Sequence, residues 1–259
     1  MKTPALKYVM SSKNKNRLEV LIDVYKLRGI IWVIQYFLLV IFSYLSGPLW
    51  SKYFMAKYKT NKLSHDFFLF NNKKYKYFFH NYNRTWQNER AIEIPIVKKY
   101  LEKFNGEKIL ELGNVMSHYF KVKYDILDNY EISEGVINKD VIHFKPNKKY
   151  NLIFSISTLE HIGIDGVKDP AKAIRAISIL TTFLAPNGML IFTIPLGYNQ
   201  ILDRAIKNED IKLDQIHFFK KISADNKWIQ TNKKDAYGSH YGFPFRWGNA
   251  ILLGSIKKK

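Results

Sequence analysis

The 259-residue sequence contains no cysteine. Disulfide scaffolds, thiolate metal sites and cysteine nucleophiles are excluded together, and the composition fits a reducing compartment. Glycine (13) and proline (8) are too scarce for a fibrous or low-complexity chain. Acidic residues are also short: Asp+Glu number 22 against 41 Lys+Arg, a net charge of +19. Such an excess favours an anionic partner, either nucleic acid or lipid head groups. No group of His, Asp and Glu has the spacing of metal ligands, so no metal is expected. What the chain does have is apolar surface, 47% hydrophobic with 15% aromatic residues. That is enough to offset the entropy of ordering, which excludes a disordered protein.

The charge is unevenly placed. Residues 1–88 carry 15 Lys+Arg and 3 Asp+Glu, whereas residues 89–259 carry 26 and 19. This shift puts a domain boundary near residue 88, with a basic, apolar N-terminal region before it. No charged residue lies between Arg28 and Lys52, and Gly47-Pro48 ends any helix in that run. The uncharged stretch at residues 30–46 is at the short limit for crossing a hydrocarbon core of about 30 Å. Lysines and arginines flank it on both sides, so the positive-inside bias gives no orientation. Three placements remain: a span, an in-plane or re-entrant helix anchored by Trp32, Trp50, Tyr53 and Tyr58, or an apolar helix buried in protein. Membrane contact of either kind, spanning or in-plane, is favoured over the buried helix. Glu19 and Asp23 in the leader, and the lack of a small-residue cleavage site, disfavour a signal peptide.

From Glu89 onward, short apolar runs alternate with helical periodicity. Val97, Leu101 and Phe104 share a helix face that ends at Asn105-Gly106. Strands are expected at 108–113, 124–128, 136–140, 150–156, 189–194 and 250–256, with a helix over 171–184 and a turn at 185–188. This order predicts a doubly wound, mostly parallel α/β sheet with its site at the carboxyl ends of the strands.

The motifs ILELG (109–113), YDILD (124–128), INKDV (137–141), YNLIFSISTLEHI (150–162) and LAPNGMLIFTIP (184–195) occur in that order. Together they resemble class I S-adenosylmethionine-dependent methyltransferases, over about residues 89–256. ERAIEIP (89–95), ELGNVMSHY (111–119) and IPLGYN (194–199) are similar to small methyltransferases associated with cell-surface polysaccharide assembly. The resemblance implies a seven-stranded Rossmann-like sheet and S-adenosylmethionine as cofactor. It implies that Glu111, Gly113 and Asn114 form the cofactor loop, that Asp128 meets the ribose, that Asp140 and Val141 meet the adenine, and that Ser157 also lines the cofactor site. Val115 and Ser117 stand where the full family motif has glycines. That departure harms a dinucleotide site, which needs close backbone approach to a pyrophosphate, more than a site for a phosphate-free cofactor.

Methyl transfer to a hydroxyl needs a base, and a histidine near its ordinary pKa serves. His161, just beyond the fourth motif, is the first candidate, with Glu160 to orient it or to face the cofactor. His118, Tyr198 and Asn199 are candidate substrate contacts. Arg90 and Glu93 either cover the cofactor or pair with each other on one helix face. The expected partners are a small-molecule or glycan acceptor and the cytoplasmic face of a membrane. RNA methylation is the enzymatic rival, disfavoured because the charge excess lies beside the apolar run and no basic–aromatic RNA module is present. A non-catalytic membrane-bound module that keeps the fold is the other.

Overall fold

The computed structural model describes residues 66–259 apart from 105 and 166–168. The apolar run and the helix expected at 30–46 lie outside the described residues. Among the described residues, no helix is long and apolar enough to cross a membrane.

The chain opens with a two-stranded hairpin, β1 (Phe67–Phe70) and β2 (Lys73–Lys76). Asn71 and Asn72 both adopt positive φ, as a two-residue hairpin turn requires. Helix α1 (Arg90–Lys103) follows, and then β3 (Ile109–Leu112), β4 (Asp125–Asp128), β5 (Val136–Asn138) and β6 (Tyr150–Ile156). Next come α2 (Lys172–Phe183), β7 (Leu184–Pro195), α3 (Gln200–Lys207), β8 (Gln215–Lys221) and β9 (Trp228–Thr231). A short α4 (Lys233–Tyr237) and β10 (Ala250–Lys257) complete the chain.

One sheet of eight strands holds the body together, in the order β5-β4-β3-β6-β7-β10-β8-β9. Strands β5 through β7 are parallel, and β10 is antiparallel to both β7 and β8. Seven strands were expected; β9 adds an eighth by pairing antiparallel with β8 at the edge. The order reverses between β3 and β6, which makes the carboxyl end of that pair the topological switch point of a Rossmann-like sheet.

Strand alternation sorts the core onto two faces. Leu110, Leu112, Ile153, Leu190 and Phe192 pack with Ala173, Ala176, Ile177 and Leu180 of α2. Ile109, Leu152, Phe154 and Ile191 pack instead with Ile94 and Val97 of α1. Helical cover is uneven. The β3–β4 crossover is too short for an α-helix and holds a single 3-10 turn, Met116–His118. The turn expected at 185–188 lies within β7, where pairing slips from Tyr150↔Leu184 to Leu152↔Met189 and the intervening residues bulge.

The composition shift at residue 88 falls inside this body. Phe68 and Phe70 of β1 are buried with Ile92 and Ile96 of α1, Phe219 of β8 and Trp228 of β9. Phe67 and Leu69, on the opposite face of the same strand, are about half exposed, at 46% and 50%. If the hairpin belongs to the cooperative fold, Phe68→Ala costs about 3–5 kcal/mol and Phe67→Ala much less. Urea unfolding checks this; equal, small effects would show the hairpin to be an independent appendage.

Candidate active site

The site is built from loops that leave the carboxyl edge on either side of the switch point. After β3 the chain turns sharply at Gly113, whose φ of +85° favours glycine. A Cβ there would lie 2.2 Å from Thr158 Oγ1, so the β3 and β6 loops touch at the centre of the site. Glu111, fully buried in β3, accepts hydrogen bonds from the Val115 and Met116 N–H groups, both at 2.9 Å. It therefore fixes the loop from beneath. Burial pushes its carboxyl up to about 7 against the pull of those donors.

Asp128, at the tip of β4, accepts from the N–H groups of Asn114 (3.1 Å), Tyr130 (2.8 Å) and Glu131 (2.8 Å). Glu131, which the sequence did not single out, accepts from the Asn114 side chain at 2.7 Å and lies 3.3 Å from His118 Nε2. Tyr82 stacks on His118 with centroids 4.4 Å apart. The structure thus brings Asn114, His118 and Asp128 together around a carboxylate three residues beyond Asp128. Asp140 lies beyond β5 and is ion-paired to Lys172 of α2. Partial burial opposes its ionisation, but the Lys172 ammonium outweighs this and holds the carboxyl below its usual value. The Val141 side chain packs into the core with Leu127 and Phe144.

On the other side of the switch point, Arg90 donates to Glu93 Oε2 at 2.8 Å and to the Ser157 carbonyl at 3.4 Å. Ser157 donates its hydroxyl to Glu93 Oε1 at 2.5 Å and is held at a φ of 38°. Glu160 and His161 occupy the 3-10 turn Leu159–His161 that follows. His161 Nδ1 lies 2.9 Å from Asp165 Oδ2, and Tyr198 donates to Asp165 Oδ1 at 3.1 Å. A carboxylate can only accept, so Nδ1 carries the proton and Nε2 presents its lone pair. Burial works to lower the His161 pKa, but Asp165 and Glu160 outweigh it and the net direction is upward. The ring packs on Tyr198 at 4.5 Å, and Tyr198 packs on Tyr241 at 5.1 Å.

Asp165, not Glu160, therefore makes the hydrogen bond that orients His161. Its i+4 spacing from His161 was legible, but the histidine sits in a turn, where that spacing carries no rule. Asn199, expected at the substrate, is buried as the N-cap of α3, accepting from Ile201 and Leu202 N–H. Its amide also reaches the Glu160 carbonyl at 3.4 Å.

No family model and no curated protein matches this chain. Among solved structures it is similar to N-methyltransferase NodS from Bradyrhizobium japonicum WM9 in complex with S-adenosyl-L-homocysteine. The two are 14% identical with a TM-score of 0.44, covering 66% of this chain and 87% of that one. A second is an S-adenosylmethionine-dependent methyltransferase from Clostridium acetobutylicum ATCC 824, at 13% identity, TM-score 0.33, and 63% and 89% coverage. An rRNA methylase from Streptococcus thermophilus follows at 10% identity, TM-score 0.40, and 64% and 96% coverage. All three are methyltransferases.

The buried acids leave a mark on stability. Burial raises Glu111 to about 7, Glu160 to about 8 and Asp203 to about 6. A carboxyl raised in the fold contributes stability that is fully present below its ordinary pKa and lost as pH rises through the raised value. His161, also raised, acts in the same direction. Stability to urea is therefore expected to fall between pH 5 and 8, with a shallower fall in Glu111→Gln. A wild-type profile that is flat or rises over that window would contradict the assignment.

Proposed function

We propose that this chain transfers a methyl group from S-adenosylmethionine to a hydroxyl of a sugar or of a lipid-linked or surface-polymer precursor. It works at the cytoplasmic face of the membrane, with the N-terminal basic, apolar region making the membrane contact. The observation that carries the catalytic reading is the His161–Asp165 pair, 2.9 Å apart, at the switch point of a Rossmann-like sheet. Open sheets of this kind bind their ligands there. The membrane and acceptor parts draw support from the uncharged stretch at residues 30–46, its lysine-rich flanks and the motif resemblance.

The residues present fit the cofactor. Asp128 offers about four lone-pair positions and three are taken by backbone N–H groups, which leaves one for a ribose hydroxyl. Glu160 keeps both carboxyl oxygens without a hydrogen-bond donor of another residue among the described residues. Bound there, the cofactor supplies an electrophilic methyl on a sulfonium.

The chain's own groups do the rest. His161 Nε2 takes the proton of the acceptor hydroxyl, and Asp165 holds the imidazole in the required tautomer and stabilises it once protonated. Tyr198, bonded to the same carboxylate, fixes Asp165 from its other oxygen. The Tyr198–Tyr241 contact walls the site on one side.

S-adenosylhomocysteine at a hundredfold excess over Kd is expected to stabilise the protein by about 2.7 kcal/mol, and Asp128→Ala to remove the effect. His161→Ala should keep the stabilisation and lose turnover by about 10²–10⁴-fold. Thermal melts and a methyl-transfer assay decide both; unchanged turnover in His161→Ala rules it out as the base, and stabilisation by NADH instead would replace the cofactor assignment.

A further inference from the structure

Glu160 stands just beyond the tip of β6 with its side chain 1% exposed. Neither carboxyl oxygen meets a hydrogen-bond donor of another residue among the described residues, and its own backbone N–H acts on it only weakly against burial. His161 Nε2, 3.6 Å from Oε1, is too far for a hydrogen bond. Buried polar atoms in folded proteins are nearly always satisfied, and an ionised carboxyl without donors is among the costliest exceptions. Such a group either stays protonated or awaits a cation.

The surroundings keep it protonated in the free protein and suit a cation as the partner that would ionise it. Arg90 and Glu93 face Glu160 from α1, His161 from its own turn, Tyr198 from beyond β7 and Tyr241 from the loop before β10. The Arg90 guanidinium makes its hydrogen bonds to Glu93 and the Ser157 carbonyl, not to Glu160. Glu89, also buried, acts on the same arginine. Three carboxyl groups thus act on one guanidinium, and Lys221 is a second cation acting on Glu89.

We propose that Glu160 is the anchor for the ammonium at the amino-acid end of the cofactor, and that seating this ammonium ionises the carboxyl and sends its proton to solvent. The inference rests on the cofactor reading above and adds to it a residue and a proton stoichiometry. Burial holds the Glu160 carboxyl up to about 8, so near pH 7 the free protein carries the proton to be released. The balance is simple: a carboxylic acid and a ligand ammonium become a carboxylate–ammonium pair and one solvated proton.

Isothermal titration of the full chain with S-adenosylhomocysteine at pH 7, in phosphate and in Tris, reads this proton from the difference in heats. About one proton per ligand is expected for the wild type and close to none for Glu160→Gln, with Kd weakened about tenfold or more. His161→Asn should retain the release. 5′-Methylthioadenosine, which keeps the nucleoside and lacks the amino-acid end, should bind wild type and Glu160→Gln equally and release no proton. The two-ligand comparison on wild-type protein decides the matter even if Glu160→Gln fails to fold.

S-adenosylhomocysteine binding without proton release overturns the anchor and leaves the cofactor reading standing. Release that persists in Glu160→Gln, or disappears in His161→Asn, also overturns it. If neither ligand binds the wild type, the cofactor reading fails and the anchor with it. Release by S-adenosylmethionine but not by S-adenosylhomocysteine would move the charge partner to the sulfonium and refute the ammonium assignment.

Discussion

Arg90 joins the helix that covers one face of the sheet to the strand tip that carries the candidate chemistry. Its guanidinium bridges Glu93 on its own helix and the carbonyl of Ser157, and Glu93 in turn accepts the Ser157 hydroxyl. The bridge is almost dry, with side-chain exposures of 13% and 1% for Arg90 and Glu93. In such surroundings the loss of one partner leaves the other as an uncompensated buried charge, which is far costlier than losing a surface pair. The bridge holds Ser157 in a left-handed conformation, and Thr158, Glu160 and His161 follow directly from that turn. The positions of the candidate base and of the orphan acid thus follow a turn that this ion pair fixes together with the Ser157 N–H bond to the Thr193 carbonyl.

The same economy of space explains the loop after β3. Val115 and Ser117 stand where the motif they resemble has glycines, and the crossover has room for only one 3-10 turn, so a long helix dipole cannot organise the loop. Glu111 takes over that task by accepting two successive N–H groups from below, while Asp128 accepts the Asn114 N–H from the side. Carboxyl groups do here what backbone flexibility does in a glycine-rich turn. The consequence is a site with several buried acids, which favours a cationic ligand and ties stability to pH.

Much of the central sheet was legible in the sequence. β3, β4, β6 and β10 are short apolar runs, the first closed by Gly113 and the second by Asp128, and α2 keeps a clean helical period. The outer elements were not. β8 mixes lysine and glutamine with phenylalanine because it lies near an edge, and β9 has a single buried residue among four. The β1–β2 hairpin had a readable signal in Asn71-Asn72, but the lysines of β2 drew it into the basic N-terminal region. In the candidate site, the places of Gly113 and Asp128 at the ends of β3 and β4, of Glu111 within β3 and of His161 in the turn beyond β6 were legible. Asp165, Glu131 and the capping role of Asn199 were not, because each acts through a loop whose path only the tertiary packing sets.

If the carboxyl edge between β3 and β6 holds a nucleoside cofactor within reach of His161, a crystal structure of the full chain with S-adenosylhomocysteine will show it. A ribose hydroxyl bonded to Asp128, the ligand's ammonium against Glu160 and its sulfur facing His161 are the expected contacts. Ligand density elsewhere on the protein, or a crevice filled by side chains with the ligand excluded, would contradict this placement.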